Sequence, residues 1–207
     1  DNPTRRLSDN RAWHKQERRQ TIIRPKNFPA WRQAVEDARI YGGFQDMASD
    51  YLLFVLFSGL RRREASGLGW QQVDLEHKTI RILDTKNGKP LTLPLSTPLV
   101  AVLTNRRLSG ESPWVFPGKK LDKPIAEPKG HVRRVSEMSG VDFTVHDLRR
   151  TFITVAESLD ISKTAIQALV NHSGAGVDVT DGYVIMDEGR LREPMEKIAQ
   201  KMIGYMR

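Results

Sequence analysis

Seven consecutive apolar side chains, Tyr51 to Phe57, form the longest hydrophobic run of the chain. A run of that length cannot cross a bilayer, which takes about 20 apolar residues. It therefore belongs inside a folded core. It lies in a mostly apolar stretch, Gln45 to Phe57, that reads as a helix, and Ser58-Gly59 breaks it. At 207 residues the chain fits one domain of ordinary size, large enough to surround such a helix.

The other elements follow from caps and periodicity. Pro29 suits the first helical position after Asn27-Phe28, and Gly42-Gly43 closes that helix after Ile40. Arg61 opens a short helix through Ala65. Thr97-Pro98 opens another with a capping residue and a proline. Helices are predicted over Gly130–Ser139, over Val145–Leu159 with Thr144 capping, and over Lys163–Asn171 with Ser162 capping. A last helix spans Arg190 to Tyr205, with Pro194 in its first turn. Val73 to Leu83 and Leu91 to Leu95 read as strands, with alternation at Thr79-Ile80-Arg81-Ile82 and an Asn87-Gly88 hairpin turn. Trp114-Val115-Phe116 reads as a short buried stretch, and Lys119 to Lys129 as a Pro- and Lys-rich loop. The expected class is mainly α with a small antiparallel β-sheet (α+β).

Charge narrows the partner. The chain has 33 Lys+Arg against 25 Asp+Glu, a net charge of +8. That favours a polyanion, of which nucleic acid is the usual one. Residues 1–27 hold Arg5, Arg6, Arg11, Lys15, Arg18, Arg19, Arg24 and Lys26 against three acids, so this arm alone supplies +5. A solvated tail and a DNA-contacting arm explain that charge equally well. The absence of cysteine excludes disulfides and cysteine-ligated zinc and fits a reducing cytoplasm. No secretory signal or membrane span is visible.

The chemistry lies in five short features that occur in order: Ser-Gly-Leu-Arg61, Lys86-Asn-Gly, His146-Asp-Leu-Arg149, Asn-His172 and Tyr183. Phosphate oxygens favour planar, permanently charged, bidentate donors, which arginine supplies. A phenol with an ordinary pKa near 10 becomes a useful nucleophile only beside groups that lower that value or take its proton. The set suits attack of a tyrosine on a phosphodiester. Taken singly each residue has a plainer reading. Arg61 alone is a surface helix charge, Lys86 a turn lysine, and His172 a C-terminal helix cap. His146-Asp147 could be half of a metal site or a capping pair. Tyr51 reads as core, Tyr41 lies by a glycine turn, and Tyr205 lies in the last turn of the tail.

In these residues the chain resembles the catalytic domain of the tyrosine recombinases, the phage integrase family. The Val-Asn-His172 run and Thr180-Asp-Gly-Tyr183 resemble its P4-type phage and genomic-island branch. The family pattern of Arg, Lys, His-x-x-Arg, His or Trp, and Tyr falls on Arg61, Lys86, His146, Arg149, His172 and Tyr183. The resemblance covers roughly Pro29 to Tyr183. The interval from His172 to Tyr183 is longer than in many relatives, and Ser173-Gly174-Ala175-Gly176 absorbs the difference.

The resemblance implies that Tyr183 attacks a scissile phosphate and leaves a 3′-phosphotyrosyl link and a free 5′-hydroxyl. Arg61, Arg149, His146 and His172 would hold the non-bridging oxygens, or His172 would assist Tyr183. Lys86 would protonate the 5′ oxygen, with Lys89 as the alternative lysine. Glu64, on the same helix face as Arg61, would orient it. No cofactor and no metal are needed, because the covalent bond conserves the phosphodiester and the arginines supply the positive charge. The partner would be double-stranded DNA at attachment core sites. The assembly would be a homotetramer on DNA and a monomer when free, with accessory DNA-bending or excision factors, in the cytoplasm of a bacterium at its nucleoid.

The domain reading is a basic linker over 1–27, a catalytic domain over 28–187 and a C-terminal tail helix over 188–207. A start at Asp1 rather than Met suggests a fragment, and relatives carry DNA-binding domains ahead of the catalytic one. In the tail, Leu191, Met195, Ile198, Met202 and Tyr205 form an apolar stripe. Periodicity alone favours packing on its own domain, whereas the resemblance implies docking on a neighbouring protomer. Two rival functions are a type IB topoisomerase, with the same chemistry but no partner duplex, and a non-enzymatic helix-turn-helix DNA-binding module built on Ser162 to Leu169.

Overall fold

The computed structural model describes residues 20–171 and 188–207, apart from 84, 86, 87, 89, 109 and 111. Its centre is helix α2, Phe44–Ser58, in which every residue from Met47 to Ser58 is buried. The apolar run reaches this position because helices close around it. Helix α1 (Phe28–Asp37), a 3₁₀ turn (Ala38–Tyr41), α3 (Arg62–Ser66), α4 (Thr97–Leu108), α5 (Lys129–Ser139) and α6 (Val145–Glu157) all pack against α2. Helix α7, Lys163–Leu169, rests on α6, and α8, Glu188–Tyr205, packs on both and on the central helix.

Three antiparallel strands, β1 (Val73–Asp74), β2 (Thr79–Ile82) and β3 (Leu91–Pro94), form one sheet in that order. Val73 pairs with Ile80, and Ile80 with Leu93, which puts Ile80 and Leu93 together on the buried face. The stretch expected to be one strand from Val73 to Leu83 is therefore two. Asp74 breaks it: its Oδ1 accepts the His77 N–H at 2.9 Å, and Lys78 takes a left-handed φ of 53°. A side chain that can close its own turn competes with the ladder. The expected hairpin turn between β2 and β3 is closed by Gly88 N–H donating to Thr85 O at 3.0 Å.

The tail helix departs from the docking implied by the resemblance. Leu191, Met195, Ile198 and Met202 are at most 2% exposed, and α8 packs on β3, α6, α7, α4 and α2 of its own chain. Glu196 Oε2 accepts the Thr97 N–H at the start of α4 at 2.8 Å, and Arg192 donates to His77 O at 2.9 Å. The stripe packs on its own domain, where these helices and the sheet offer it an apolar face. The helix already includes Glu188, so Pro194 lies beyond its first turn. No described helix is long and apolar enough to cross a membrane.

The packed region starts ahead of Phe28. Ile23 is 1% exposed, and its N–H donates to Thr151 Oγ1 on α6 at 2.9 Å.

Candidate functional site

Three chain turns build the site. The first is the end of α2. Gly59 sits at its C-cap with φ 64°, a left-handed conformation that glycine adopts without a Cβ penalty. A Cβ there would also lie 2.5 Å from the Phe152 ring. Glycine thus lets α6 approach closely, and its carbonyl is turned toward Arg149.

Arg61 follows, and the structure corrects its expected place. It does not open the helix but is the extended N-cap of α3 (φ −67°, ψ 149°). Its backbone amide is not offered to an anion, since it donates to Glu64 Oε2 at 2.9 Å. Glu64, 5% exposed, also accepts Arg61 Nη1 on Oε1 at 2.9 Å. A carboxylate at the third helical position reaches back to the cap, as in half of a capping box. The shared face expected for Arg61 and Glu64 is thereby an ion pair.

The second turn is the start of α6. Thr144 Oγ1 accepts the Asp147 N–H at 3.3 Å, and Asp147 Oδ2 accepts the Thr144 N–H at 2.9 Å and its hydroxyl at 2.8 Å. Of the two readings left open for Asp147, the capping pair holds. Arg150 Nη1 meets Asp147 Oδ1 at 3.1 Å, so Arg150 is held on the helix. The reciprocal cap fixes the first turn, from which His146 is exposed and Arg149 is buried.

Arg149, 4% exposed, donates from Nη1 to Gly59 O and from Nη2 to Val170 O, both at 2.7 Å. The third turn supplies that second carbonyl. Helix α7 ends at Leu169, earlier than expected, because Asn171 adopts a left-handed φ of 47°. Asparagine tolerates that conformation and can stop a helix there. The stop leaves the Asn171 carbonyl to accept Arg61 Nη2 at 3.0 Å.

The two guanidinium groups are near enough to feel each other. Burial first, and then Arg61, push the Arg149 pKa down to about 10, while Glu64 acts the other way. His146 is exposed overall but partly shielded from water, and that desolvation holds its pKa below the usual imidazole value, reinforced by Arg150, Arg149 and Arg61 and opposed by Asp147. A neutral imidazole keeps one N–H donor and one acceptor. Each arginine has two nitrogens fixed by protein acceptors and keeps further N–H groups for an oxyanion. Cationic donors held in fixed positions beside one another suit a phosphate whose charge rises during transfer.

The structure thus brings Arg61, Glu64, His146 and Arg149 together. Lys86, Lys89, His172 and Tyr183 lie outside the described residues. His172 is joined directly to Asn171, whose carbonyl Arg61 holds. The other tyrosines fall where expected. Tyr51 is buried with its hydroxyl on Arg62 O at 3.1 Å, Tyr41 is exposed beneath the Arg134 guanidinium, and Tyr205 packs on Phe28. Sequence reasoning missed the carbonyls of Gly59, Val170 and Asn171. The helix-stopping residues at 59 and 171 were the available signal.

The chain matches the family model described as "Phage integrase family" over residues 33–184, which include all six candidate catalytic positions. It is 28% identical over 159 residues to prophage integrase IntF of Escherichia coli (strain K12), covering 72% of this chain and 32% of that protein. It is 28% identical over 170 residues to the tyrosine recombinase XerA of Pyrococcus furiosus, covering 77% of this chain and 59% of that protein. It thus spans between about a third and three fifths of these relatives' length. Among solved structures it is similar to the Tn1549 transposon integrase in complex with circular intermediate DNA. The TM-score is 0.65 at 16% identity, over 92% of this chain and 68% of that one. That likeness concerns the fold, a mostly helical domain with one small antiparallel sheet.

Proposed function

The chain belongs to the phage integrase family, and from that premise we propose that it is the DNA-breaking and rejoining part of a site-specific recombinase. The observation that carries this reading is the pair Arg61 and Arg149, locked by Glu64 and by the carbonyls of Gly59, Val170 and Asn171. A buried Arg149 beside a half-buried Arg61, each held by protein acceptors and each keeping further N–H groups, makes a phosphate site that needs little reorganisation.

In the first step the Tyr183 oxygen bonds to phosphorus and the bond from phosphorus to the 5′ oxygen breaks. Lys86 gives a proton to that oxygen, which leaves as a 5′-hydroxyl. The phenol's proton goes to His172, or to solvent where His172 instead donates to a non-bridging oxygen, and His146 joins the arginines on the phosphate. Rejoining reverses the step: a 5′-hydroxyl from a second strand attacks phosphorus and gives its proton to Lys86, the bond from phosphorus to the Tyr183 oxygen breaks, and the phenol regains its proton from the group or solvent that took it. The bond count is unchanged throughout, so no nucleotide is consumed.

The substrate is duplex DNA carrying attachment core sites, supported by the net charge of +8. Exchange between two duplexes calls for four active sites and hence a tetramer on DNA, formed from monomers and modulated by DNA-bending or excision factors. The setting is the cytoplasm, at the nucleoid. Residues 28–187 carry the catalytic groups behind a basic linker, in a domain that also packs Ile23 and the helix Glu188–Tyr205.

The test is a nicked duplex carrying the core site. The wild-type chain should form a covalent adduct, and Tyr183→Phe should bind the duplex and form none. An adduct that persists in Tyr183→Phe would overturn the assignment. Lys86→Ala should cleave slowly and recover on a 5′-bridging phosphorothiolate, because sulfur leaves without protonation. The same recovery in Lys89→Ala, and not in Lys86→Ala, would move the role to Lys89.

A further inference from the structure

The residue that joins the incoming chain to α6 is Thr151, one turn beyond Asp147 and two residues past Arg149. It is 1% exposed. Its hydroxyl donates to Asp147 O at 2.7 Å and accepts the Ile23 N–H at 2.9 Å. The first bond is the usual back-bond of a helical threonine. The second is not local, since its donor comes from the extended segment ahead of Pro25 and lies 128 positions away. Ile23 is itself 1% exposed, so without the hydroxyl its amide would be a buried donor with no water to replace the bond.

The relay continues beyond Thr151. The Asp147 carbonyl receives the hydroxyl, while the Asp147 carboxylate holds Thr144 and Arg150. His146 adjoins this residue in the first turn. Arg149, on the same stretch of helix, must meet Gly59 O and Val170 O together. A shift of the Ile23 backbone therefore acts on the helix segment that presents both groups. Placement errors of about 1 Å can cost about a hundredfold in rate.

We propose that Thr151 is a positioning residue that fastens the segment entering the domain, through Ile23, to the helix turn carrying His146 and Arg149. Whatever orders or pulls the chain ahead of Ile23 then bears on the phosphate site through this hydroxyl. The proposal rests on the reading of that turn as part of a DNA-cleaving site.

The test compares Thr151→Val, which keeps the shape and removes the hydroxyl, with Thr151→Ser, which keeps the hydroxyl. Thr151→Ala replaces the valine variant if that does not fold. Three quantities are read: single-turnover cleavage of the nicked duplex, affinity for the same duplex, and amide hydrogen exchange at Ile23 and along residues 145–149. Loss of the hydroxyl should slow cleavage about tenfold. Affinity should stay within about twofold, and exchange should quicken both at Ile23 and in the first turn of α6. Thr151→Ser should restore all three. Faster exchange at Ile23 alone, with the first turn unchanged, would overturn the relay. So would wild-type cleavage without the hydroxyl, or a serine variant as slow as valine. A wild-type chain that forms no adduct would remove the recombinase reading, and the exchange pattern would still decide the relay.

Discussion

Arg61 and Arg149 hold two consecutive carbonyl oxygens of one chain turn, Asn171 O at 3.0 Å and Val170 O at 2.7 Å. Two cations that would repel each other are thereby placed side by side, and the acceptor carbonyls offset part of that repulsion. The same turn leads directly to His172, so the arginines that would bind phosphate also fix where the rest of the candidate site begins.

Glu64 is the only carboxylate shown bonded to Arg61 among the described residues. Glu64→Gln removes the charge and points an amide N–H₂ or a single oxygen at two donors. Single-turnover cleavage of a nicked core-site duplex should fall about tenfold with little change in duplex affinity, because the loss is of orientation. Equal losses in cleavage and affinity would show that Glu64 serves binding alone.

Gly59 and Gly140 share a left-handed φ, 64° and 67°, but only Gly59 has the Phe152 ring against it. Gly140→Ala should cost about 1 kcal/mol for the backbone conformation alone. Gly59→Ala should cost at least about 3 kcal/mol, as overpacking adds to that strain. Denaturant unfolding of the two variants checks the difference, and similar values would show that Phe152 moves aside freely.

His131 is 2% exposed, with Nδ1 2.7 Å from Gln45 Oε1 and Nε2 3.1 Å from Ser49 Oγ. Burial, then the charges of Arg134 and Arg39, push its pKa down to about 4. The unfolded chain, with a value near 6.5, takes up the proton first. The neutral-histidine contribution is therefore complete above about pH 6.5 and is lost as pH falls toward 4. By pH 5 the wild type should lose about 2 kcal/mol more than His131→Gln. Denaturant unfolding at pH 7 and pH 5 gives the comparison, and parallel losses would rule out His131 as the titrating group.

Deleting residues 190–207 should unfold the domain. Leu191, Met195, Ile198 and Met202 are buried in their own chain, at about 1.5–3 kcal/mol each. Their sum approaches the whole stability of an ordinary domain. A truncated chain that still melts cooperatively by circular dichroism would show that the helix is dispensable to its own protomer.

Much was legible because it is local. The burial of α2 follows from seven apolar residues in a row, the start of α6 from Thr144, and the β2–β3 turn from Asn87-Gly88. Nearest-neighbour sterics, caps and periodicity act within a few residues, and the side chains themselves display them. The family pattern likewise falls on Arg61, His146 and Arg149, which the packed chain brings together. Tertiary structure decided what those side chains touch. Nothing near Arg149 in the sequence marks Gly59 O or Val170 O as its partners, since every residue carries the same carbonyl. The same holds for the Thr151 bond to Ile23 and for the face that α8 covers. Contact also settled one reading that the sequence left open and corrected another: Asp147 became a cap because Thr144 lies within reach, and Arg61, expected inside its helix, became an extended cap whose amide Glu64 holds. Pattern gives each residue's capacity to bond, and only the packed chain selects the partner, because that choice depends on groups far away in sequence brought to within about 3 Å.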